Sequence, residues 1–350
     1  MQIEIQGLGL RVHGVDLRTG GGDAVSCVCC EQQSANADRG ILHTITLWCW
    51  SWQCDASTMQ VLALPIQRAP TAKDRPRGKA WSFVDGVRSP HHAWGIAMGH
   101  EFRARLRRGE RLLGTMVTLS SAATAEILAG LGFDWLFVDG EHGPLETAEL
   151  AAILQVAGDK TACIVRVPEA AEVPIKKALD LGAAGIIVPQ VNTAEQAANV
   201  VRYARYAPEG ARGVGLARAQ GYGQRFREYL DAANREIAVI VQAEHALAVE
   251  NIEEIVRVPG IDAVLLGPYD LSASLGKMGQ IDDPAVVRAI RRVTDACRAA
   301  GMPLGYFGVT AAAVAPYAAQ GYTLIVAGVD TLFLGNGAKA LLAELKAVHP

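Results

Sequence analysis

The sequence predicts a parallel (β/α)8 barrel over residues 98–350, an α/β fold, and three observations predict it. Strand-like and helix-like segments alternate from residue 98 onward with short punctuation between them. The strand-like segments are near-continuous apolar runs, as parallel strands covered on both faces should be. Polar residues also stand at the carboxyl ends of several of these runs, and barrel enzymes draw their sites from several strand ends at one face. The competing α/β architecture, a doubly wound open sheet, has no need of polar residues at so many strand ends.

The elements follow in order. Residues 1–97 form an extension with a different composition. Five of the seven cysteines lie there (Cys27, Cys29, Cys30, Cys49 and Cys54), as do Trp48, Trp50, Trp52, Trp81 and Trp94. No helical or strand periodicity is sustained, and Arg/Pro/Gly-rich pieces interrupt the segment. Cys27-Val28-Cys29-Cys30 with Cys49 and Cys54 does not make two zinc knuckles at standard spacing. The abrupt change at Met98 leads us to expect a poorly ordered extension or a mis-assigned start.

The first predicted strand is Leu112 to Leu119, followed by a helix from Ser121 to Gly132. Trp135-Leu136-Phe137-Val138 is the second, with a helix from Leu145 to Ala157. Ala162 to Val167 and Gly185 to Pro189 are the third and fourth, with helices over 173–181 and 194–206. A polar loop near Gly210 to Gly223 and a helix over 226–234 precede the fifth strand, Ile237 to Gln242. One helix over 246–256 leads to the sixth, Ala263 to Gly267. A helix over 284–300, a strand over 303–307, a strand over 323–327 and a helix from about Leu332 to Ala347 complete the pattern.

Composition excludes some functions. A formal net charge of −3 leaves no basic footprint for nucleic acid. No apolar run reaches the roughly 18 residues that span a bilayer, and the start lacks the basic and apolar regions of a secretory signal. A cytoplasmic protein without nucleic-acid or membrane partners is expected.

The strand ends carry the chemistry. The second strand runs into Asp139-Gly140-Glu141-His142, and the third carries Arg166. The fifth offers Gln242 and Glu244, the sixth Tyr269 and Asp270, and the eighth leads to Asp330. Glu244 and Asp270 are the candidate metal ligands, since two carboxylates from neighbouring strands suit a hard cation such as Mg2+ or Mn2+. Helix capping is the alternative for each. His142 is the candidate general base, because imidazole as a side-chain type titrates near neutral pH; a satisfied loop histidine is the alternative. Arg166, inside an apolar run, needs a carboxylate partner such as Glu141, and could also stabilise an oxyanion.

Two further residues have weaker claims. Arg212, in Ala211-Arg212-Gly213-Val214-Gly215, is suited to gripping a carboxylate or is simply solvent-exposed. Asp180, by spacing alone, reads as solvated. No lysine after residue 97 falls at a strand end, and only Lys277, in the loop after the sixth strand, is near the mouth. Carbonyl chemistry here would be metal-assisted and not imine-based.

Together these stretches resemble the HpcH/HpaI aldolase family. The resemblance rests on Phe133-Asp134-Trp135, Val138-Asp139-Gly140-Glu141-His142-Gly143-Pro144, Val165-Arg166-Val167-Pro168, Ala178-Leu179-Asp180-Leu181-Gly182-Ala183, Val241-Gln242-Ala243-Glu244 and Gly267-Pro268-Tyr269-Asp270-Leu271-Ser272. It covers the barrel and leaves residues 1–97 without a counterpart. It implies divalent-metal-dependent, reversible cleavage of 4-hydroxy-2-oxo acids to pyruvate and an aldehyde. Glu244 and Asp270 would bind the metal, with Co2+ joining Mg2+ and Mn2+ as a candidate, and His142 would be the base with Asp180 supporting it. Arg166 would stabilise the enolate, while Gln242 and the backbone around Tyr269 and Asp270 would hold the pyruvyl part. From the residues themselves, and apart from the resemblance, Asp139 and Glu141 are expected to orient the neighbouring His142 ring and Arg166. The resemblance also implies a homo-oligomer that exchanges its last helix between subunits. His245 stands where a small hydroxylated residue is expected, which bears on the substrate's far end or the metal preference. A citryl- or malyl-CoA-type lyase, a 2-oxo acid decarboxylase and a non-catalytic carboxylate-binding module are the alternatives; fold alone does not separate them.

Overall fold

A computed structural model describes the backbone of residues 2–5, 10–18, 24–31 and 96–348, with side chains from residue 101 onward. The chain divides into a unit before Val87 and a unit from Val87 onward. The first contains an antiparallel sheet of β1 (Gln2–Ile5), β2 (Leu10–Arg18) and β3 (Ala24–Glu31). These strands form although no strand periodicity is sustained along the segment. In β2 the apolar residues sit at Leu10 and Val12, then change phase at Gly14 to Val15 and Leu17, so no single period runs through it. The rest of the extension lies outside the described residues, as do Cys49 and Cys54.

The second unit is the expected barrel. α1 (Ile96–Arg107) precedes β4 (Leu112–Val117), α2 (Ala122–Ala129), β5 (Trp135–Asp139), α3 (Thr147–Ala157), β6 (Ala162–Arg166) and α4 (Glu172–Asp180). Then come β7 (Gly185–Val188), α5 (Ala194–Ala204), α6 (Phe226–Glu236), β8 (Ala238–Ala243), α7 (Ala246–Glu250), α8 (Ile252–Ile255) and β9 (Ala263–Leu266). α9 (Pro268–Ser274), α10 (Pro284–Ala299), β10 (Leu304–Gly308), α11 (Ala311–Ala319), β11 (Leu324–Val329) and α12 (Asp330–Val348) finish it. The eight strands β4 to β11 close into one barrel, every neighbouring pair parallel.

Most boundaries fall within a few residues of those predicted. One helix was expected over 246–256, and the chain instead forms α7 and α8. Asn251 leaves the helical region between them (φ −101, ψ 11), and its side chain donates to the Asn192 carbonyl at 2.9 Å. That side-chain bond to another element fixes Asn251 outside the helical ladder.

Alternate strand residues fill the barrel interior. Leu112 and Met116, Trp135 and Phe137, Ala162 and Ile164, Ala238 and Ile240, and Leu324 and Val326 pack as one buried cluster. α1 stoppers the amino-terminal end. Its Phe102 ring lies 5.9 Å from Trp135, and Arg103 Nε donates to both oxygens of Asp262, each at 2.8 Å. A larger apolar shell joins the outer strand faces to the helices. α12 differs, because among its side chains only Asp330 is buried. Leu334, Leu341, Leu342, Leu345 and Val348 are exposed along it, and Leu113 is exposed on β4.

Candidate active site

The polar side chains at the mouth continue the interior periodicity by one step. Trp135 and Phe137 lead to Asp139, Ala162 and Ile164 to Arg166, Ala238 and Ile240 to Gln242, and Leu112 and Met116 to Thr118. A period of two places each of these on the inner face, one layer above the apolar plug. They meet in a cavity of about 280 Å³ that is also lined by His142, Tyr269, Asp270, Phe307 and Leu265.

Arg166 is fixed first by Asp139. Its Nε and one terminal nitrogen donate to the two carboxylate oxygens at 2.8 and 2.7 Å, and its other terminal nitrogen lies 3.0 Å from Glu141 Oε2. The guanidinium also lies over the Phe137 ring, 5.1 Å from its centre. Glu141 had been expected as the ion-pair partner, and the fork goes to Asp139 because Asp139 and Arg166 are register partners on adjacent strands. Burial alone pushes the Asp139 carboxyl up, but the hydrogen bonds and charge of Arg166 outweigh it and hold the group below the usual carboxylate range. Arg166 is held above its ordinary value, since Asp139, Glu141 and Glu244 outweigh the effect of its burial. Glu141 is pushed up by burial, and by Asp139 and Asp270, against Arg166 and His142.

After Asp139 the chain turns sharply through residues 140–144. Asp139 Oδ1 accepts from the backbone nitrogens of Glu141 and His142 at 3.1 and 3.3 Å. Glycine is needed at Gly143, where a Cβ would come within 2.5 Å of the Asp139 carbonyl oxygen and 3.0 Å of that of Thr118. The turn leaves the His142 side chain on the rim, 65% exposed, with Nε2 3.8 Å from Glu141 Oε2.

Glu244 is buried beside the cavity. Its Oε1 accepts from the Gln190 backbone nitrogen at 2.8 Å, and its Oε2 accepts from the Gln242 side-chain nitrogen. Gln190 has a positive φ of 54°, unusual for a residue with a side chain, which aims that N–H at the carboxylate. Burial first, then Glu141 and Asp270, push the Glu244 carboxyl up to about 7. Gly267 lies against this group, where a Cβ would fall 2.9 Å from Glu244 Oε2. Asp270 stands in the first turn of α9.

Glu244 and Asp270 suit a hard divalent cation. Both offer anionic oxygen, their charges disfavour one another when no cation lies between them, and the buried Oε1 of Gln242 has no hydrogen-bond partner. Among the described residues no three His, Cys, Asp or Glu side chains are grouped for a metal. Two protein carboxylates with water and substrate completing the shell is the usual arrangement for Mg2+.

The structure does not bring Asp180 to His142, nor Arg212 into the cavity. They pair with each other, Arg212 donating to Asp180 Oδ1 at 2.6 Å and to the Tyr229 hydroxyl at 3.1 Å. The guanidinium also lies 4.6 Å from the Tyr206 ring centre. Arg212 is thus buried, contrary to its solvent-exposed alternative, and Asp180 is bonded, contrary to the solvated reading. Only the fold reveals this, because the long fourth loop folds back onto α4 and α6. Lys277 pairs with Asp283 at 3.4 Å and does not line the cavity. Thr118, Met116, Phe137 and Phe307 had not been singled out. The first strand's own alternation was the available signal for Thr118. A second cavity of about 500 Å³ lies between α3 and α4, shares Arg166 and Glu141 with this region, and is otherwise walled mainly by apolar residues.

A closed parallel barrel with acids, one fixed guanidinium and an imidazole at its carboxyl-terminal mouth defines a barrel enzyme. Its site is suited to stabilising charge on a carbonyl oxygen. The comparisons place it more closely. The model of the HpcH/HpaI aldolase/citrate lyase family matches residues 113–336. The chain is 43% identical over 251 residues to a 4-hydroxy-2-oxovalerate aldolase of Rhodococcus jostii, covering 71% of this chain and 97% of that one. It is 38% identical to a 2-keto-3-deoxy-L-rhamnonate aldolase of Salmonella gallinarum, covering 72% and 95%. A crystal structure of a family protein from Burkholderia cenocepacia superposes with a TM-score of 0.68 at 38% identity, covering 71% and 99%. The chain belongs to the HpcH/HpaI aldolase/citrate lyase family and is a carbon–carbon lyase.

Proposed function

We propose that the chain is a divalent-metal-dependent aldolase that reversibly cleaves 4-hydroxy-2-oxo acids to pyruvate and an aldehyde. The observation that carries this reading is Arg166. It is a permanently charged group, forked onto Asp139 and steadied by Glu141, at the mouth of a cavity shared with His142 and Asp270. The relatives named as aldolases support the same chemistry.

Glu244 and Asp270 would hold the cation, with Mg2+ or Mn2+ favoured by oxygen donors and Co2+ a further candidate. When bound, it would supply Lewis-acid polarisation of the 2-oxo group. The protein's own groups account for the rest. Gln242 and the backbone at Tyr269 and Asp270 hold the pyruvyl part. His142 takes the proton of the 4-hydroxyl, that oxygen forms the aldehyde carbonyl, and the C3–C4 bond breaks. Its electron pair passes into the C2–C3 bond, and the charge that reaches the C2 oxygen is stabilised by Arg166. The protonated imidazole then returns its proton to C3, giving pyruvate. Asp139 keeps Arg166 oriented throughout, and Glu141 faces both Arg166 and the imidazole.

We also propose a homo-oligomer in which α12 packs on another copy. An exposed leucine-rich helix face and the exposed Leu113 on β4 support it. Among the described residues no helix is long and apolar enough to cross a membrane, and the proposed compartment is the cytoplasm.

Coupling pyruvate release to lactate dehydrogenase, across a panel of 4-hydroxy-2-oxo acids with and without chelator, tests the function. Pyruvate release that stops in chelator and returns with Mg2+ or Mn2+ is the expected outcome. Full activity in chelator would refute the metal assignment, and no pyruvate from any substrate would sink the aldolase reading.

A further inference from the structure

We propose that Asp330 is a positioning residue for the cleavage step, acting through Thr118 on the turn that carries His142. The proposal rests on the reading of His142 as the base.

A bulge interrupts β11, where the pairing with β4 shifts register between Val326 and Val329 and Gly328 takes a φ of 80°. The bulge delivers Asp330 to the start of α12 with its side chain buried, so the carboxylate needs several donors. Capping its own helix accounts for one of them, the Thr331 backbone nitrogen at 2.8 Å. The other three belong to the loop after β4, more than 200 residues away in sequence. Oδ2 accepts from the backbone nitrogens of Thr118 and Leu119, each at 2.9 Å, and Oδ1 accepts from the Thr118 hydroxyl at 2.7 Å. A carboxylate bound this way sets the position of the loop as well as its own charge.

Thr118 transmits that position. It lines the same cavity as His142, and its carbonyl oxygen lies so near Gly143 that a Cβ there would come within 3.0 Å of it. The turn carrying His142 is therefore held from two sides. Asp139, tied to Arg166, accepts its backbone N–H groups, and Thr118, tied to Asp330, closes off the space behind Gly143. Moving Thr118 outward gives the turn room, and among the described residues the exposed imidazole has only Glu141, 3.8 Å from its Nε2, to steady it. A displacement of about 1 Å at a proton-transfer group costs up to roughly a hundredfold in rate.

Two variants test this in the full chain. Asp330→Asn turns an acceptor oxygen into an amide that faces N–H donors, and Thr118→Val removes only the hydroxyl bond while keeping the side chain's shape. The first readout is the imidazole Cε1–H proton resonance of His142, assigned by its loss in His142→Asn. The second is kcat and KM for pyruvate release. We expect the resonance to shift and broaden in both variants, more in Asp330→Asn. We also expect kcat to fall roughly ten- to a hundredfold in Asp330→Asn with KM little changed, since ground-state binding is left intact. Should Asp330→Asn fail to fold, Thr118→Val decides by the same resonance. A His142 resonance unmoved in the folded variants overturns the proposal. If the wild-type protein releases no pyruvate, the aldolase reading falls while the resonance still decides whether Asp330 positions His142.

Discussion

Arg166 and Asp139 face each other on adjacent strands and form a forked, buried ion pair, Nε to Oδ1 at 2.8 Å and a terminal nitrogen to Oδ2 at 2.7 Å. The fork satisfies a cation that the interior could not otherwise hold, and it points the remaining guanidinium nitrogen at Glu141 on the mouth side.

Arg166→Lys keeps the charge but loses the fork. Pyruvate release is expected to drop by about 10²–10³ in kcat, the usual cost of removing one aimed oxyanion donor. Arg166→Ala strands the Asp139 charge and should also cost about 3–5 kcal/mol of stability, read from denaturant midpoints. A lysine variant with wild-type kcat would take Arg166 out of the chemistry.

The same pair sets an acid limit. Asp139 has a folded pKa below its unfolded value. Its contribution is therefore fully present above the ordinary Asp range of about 4 and is lost as pH falls through the lower folded value. The stability difference between wild type and Asp139→Asn should narrow as pH falls through that range. Urea midpoints at neutral and acidic pH measure it, and a constant difference would contradict the assignment.

Glu236 works in the opposite sense. Burial pushes its carboxyl up to about 7. It costs nothing below the ordinary Glu value, and the penalty grows as pH rises from there to the folded value. Glu236→Gln should therefore raise Tm more at pH 8 than at pH 5. Equal Tm changes at both pH values would rule this out.

His142→Ala removes an exposed side chain, so fold and Tm should be unchanged within error. Loss of a general base typically costs 10²–10⁴-fold, or about that order, in kcat. Circular dichroism and the coupled assay together check it; an unchanged rate would remove His142 from the mechanism.

Glu244→Gln keeps the size of the side chain and removes its charge. Mn2+ binding, followed by calorimetry, should weaken by at least about a hundredfold, a larger loss than that from perturbing groups that merely support ligands. Undiminished Mn2+ affinity would show that the cation binds elsewhere.

Much of this was legible in the sequence because a parallel strand inside a barrel is apolar along its whole length and turns polar only where it meets the mouth. Asp139, Arg166 and Gln242 declared themselves in that way. Thr118 did not, since a threonine is unremarkable at the end of a strand, and its importance comes from a carboxylate more than 200 residues away. Asp330 was visible as a polar residue after the eighth strand, but the bulge that directs it to Thr118 was not.

By itself the sequence determined the barrel, the order of its strands and the acids, guanidinium and imidazole of the mouth, because periodicity and burial are local properties of a chain. Tertiary structure alone decided who pairs with whom. Arg166 takes Asp139 before Glu141, Arg212 takes Asp180 and leaves the cavity, and Asp330 takes the Thr118 loop. Each is a choice among several carboxylates and donors that the sequence presents as equivalent. The choice is made by strand register and loop closure, which put Asp139 in the fork of Arg166 with Glu141 on the remaining nitrogen, and bring Arg212 to Asp180 and the Thr118 loop to Asp330.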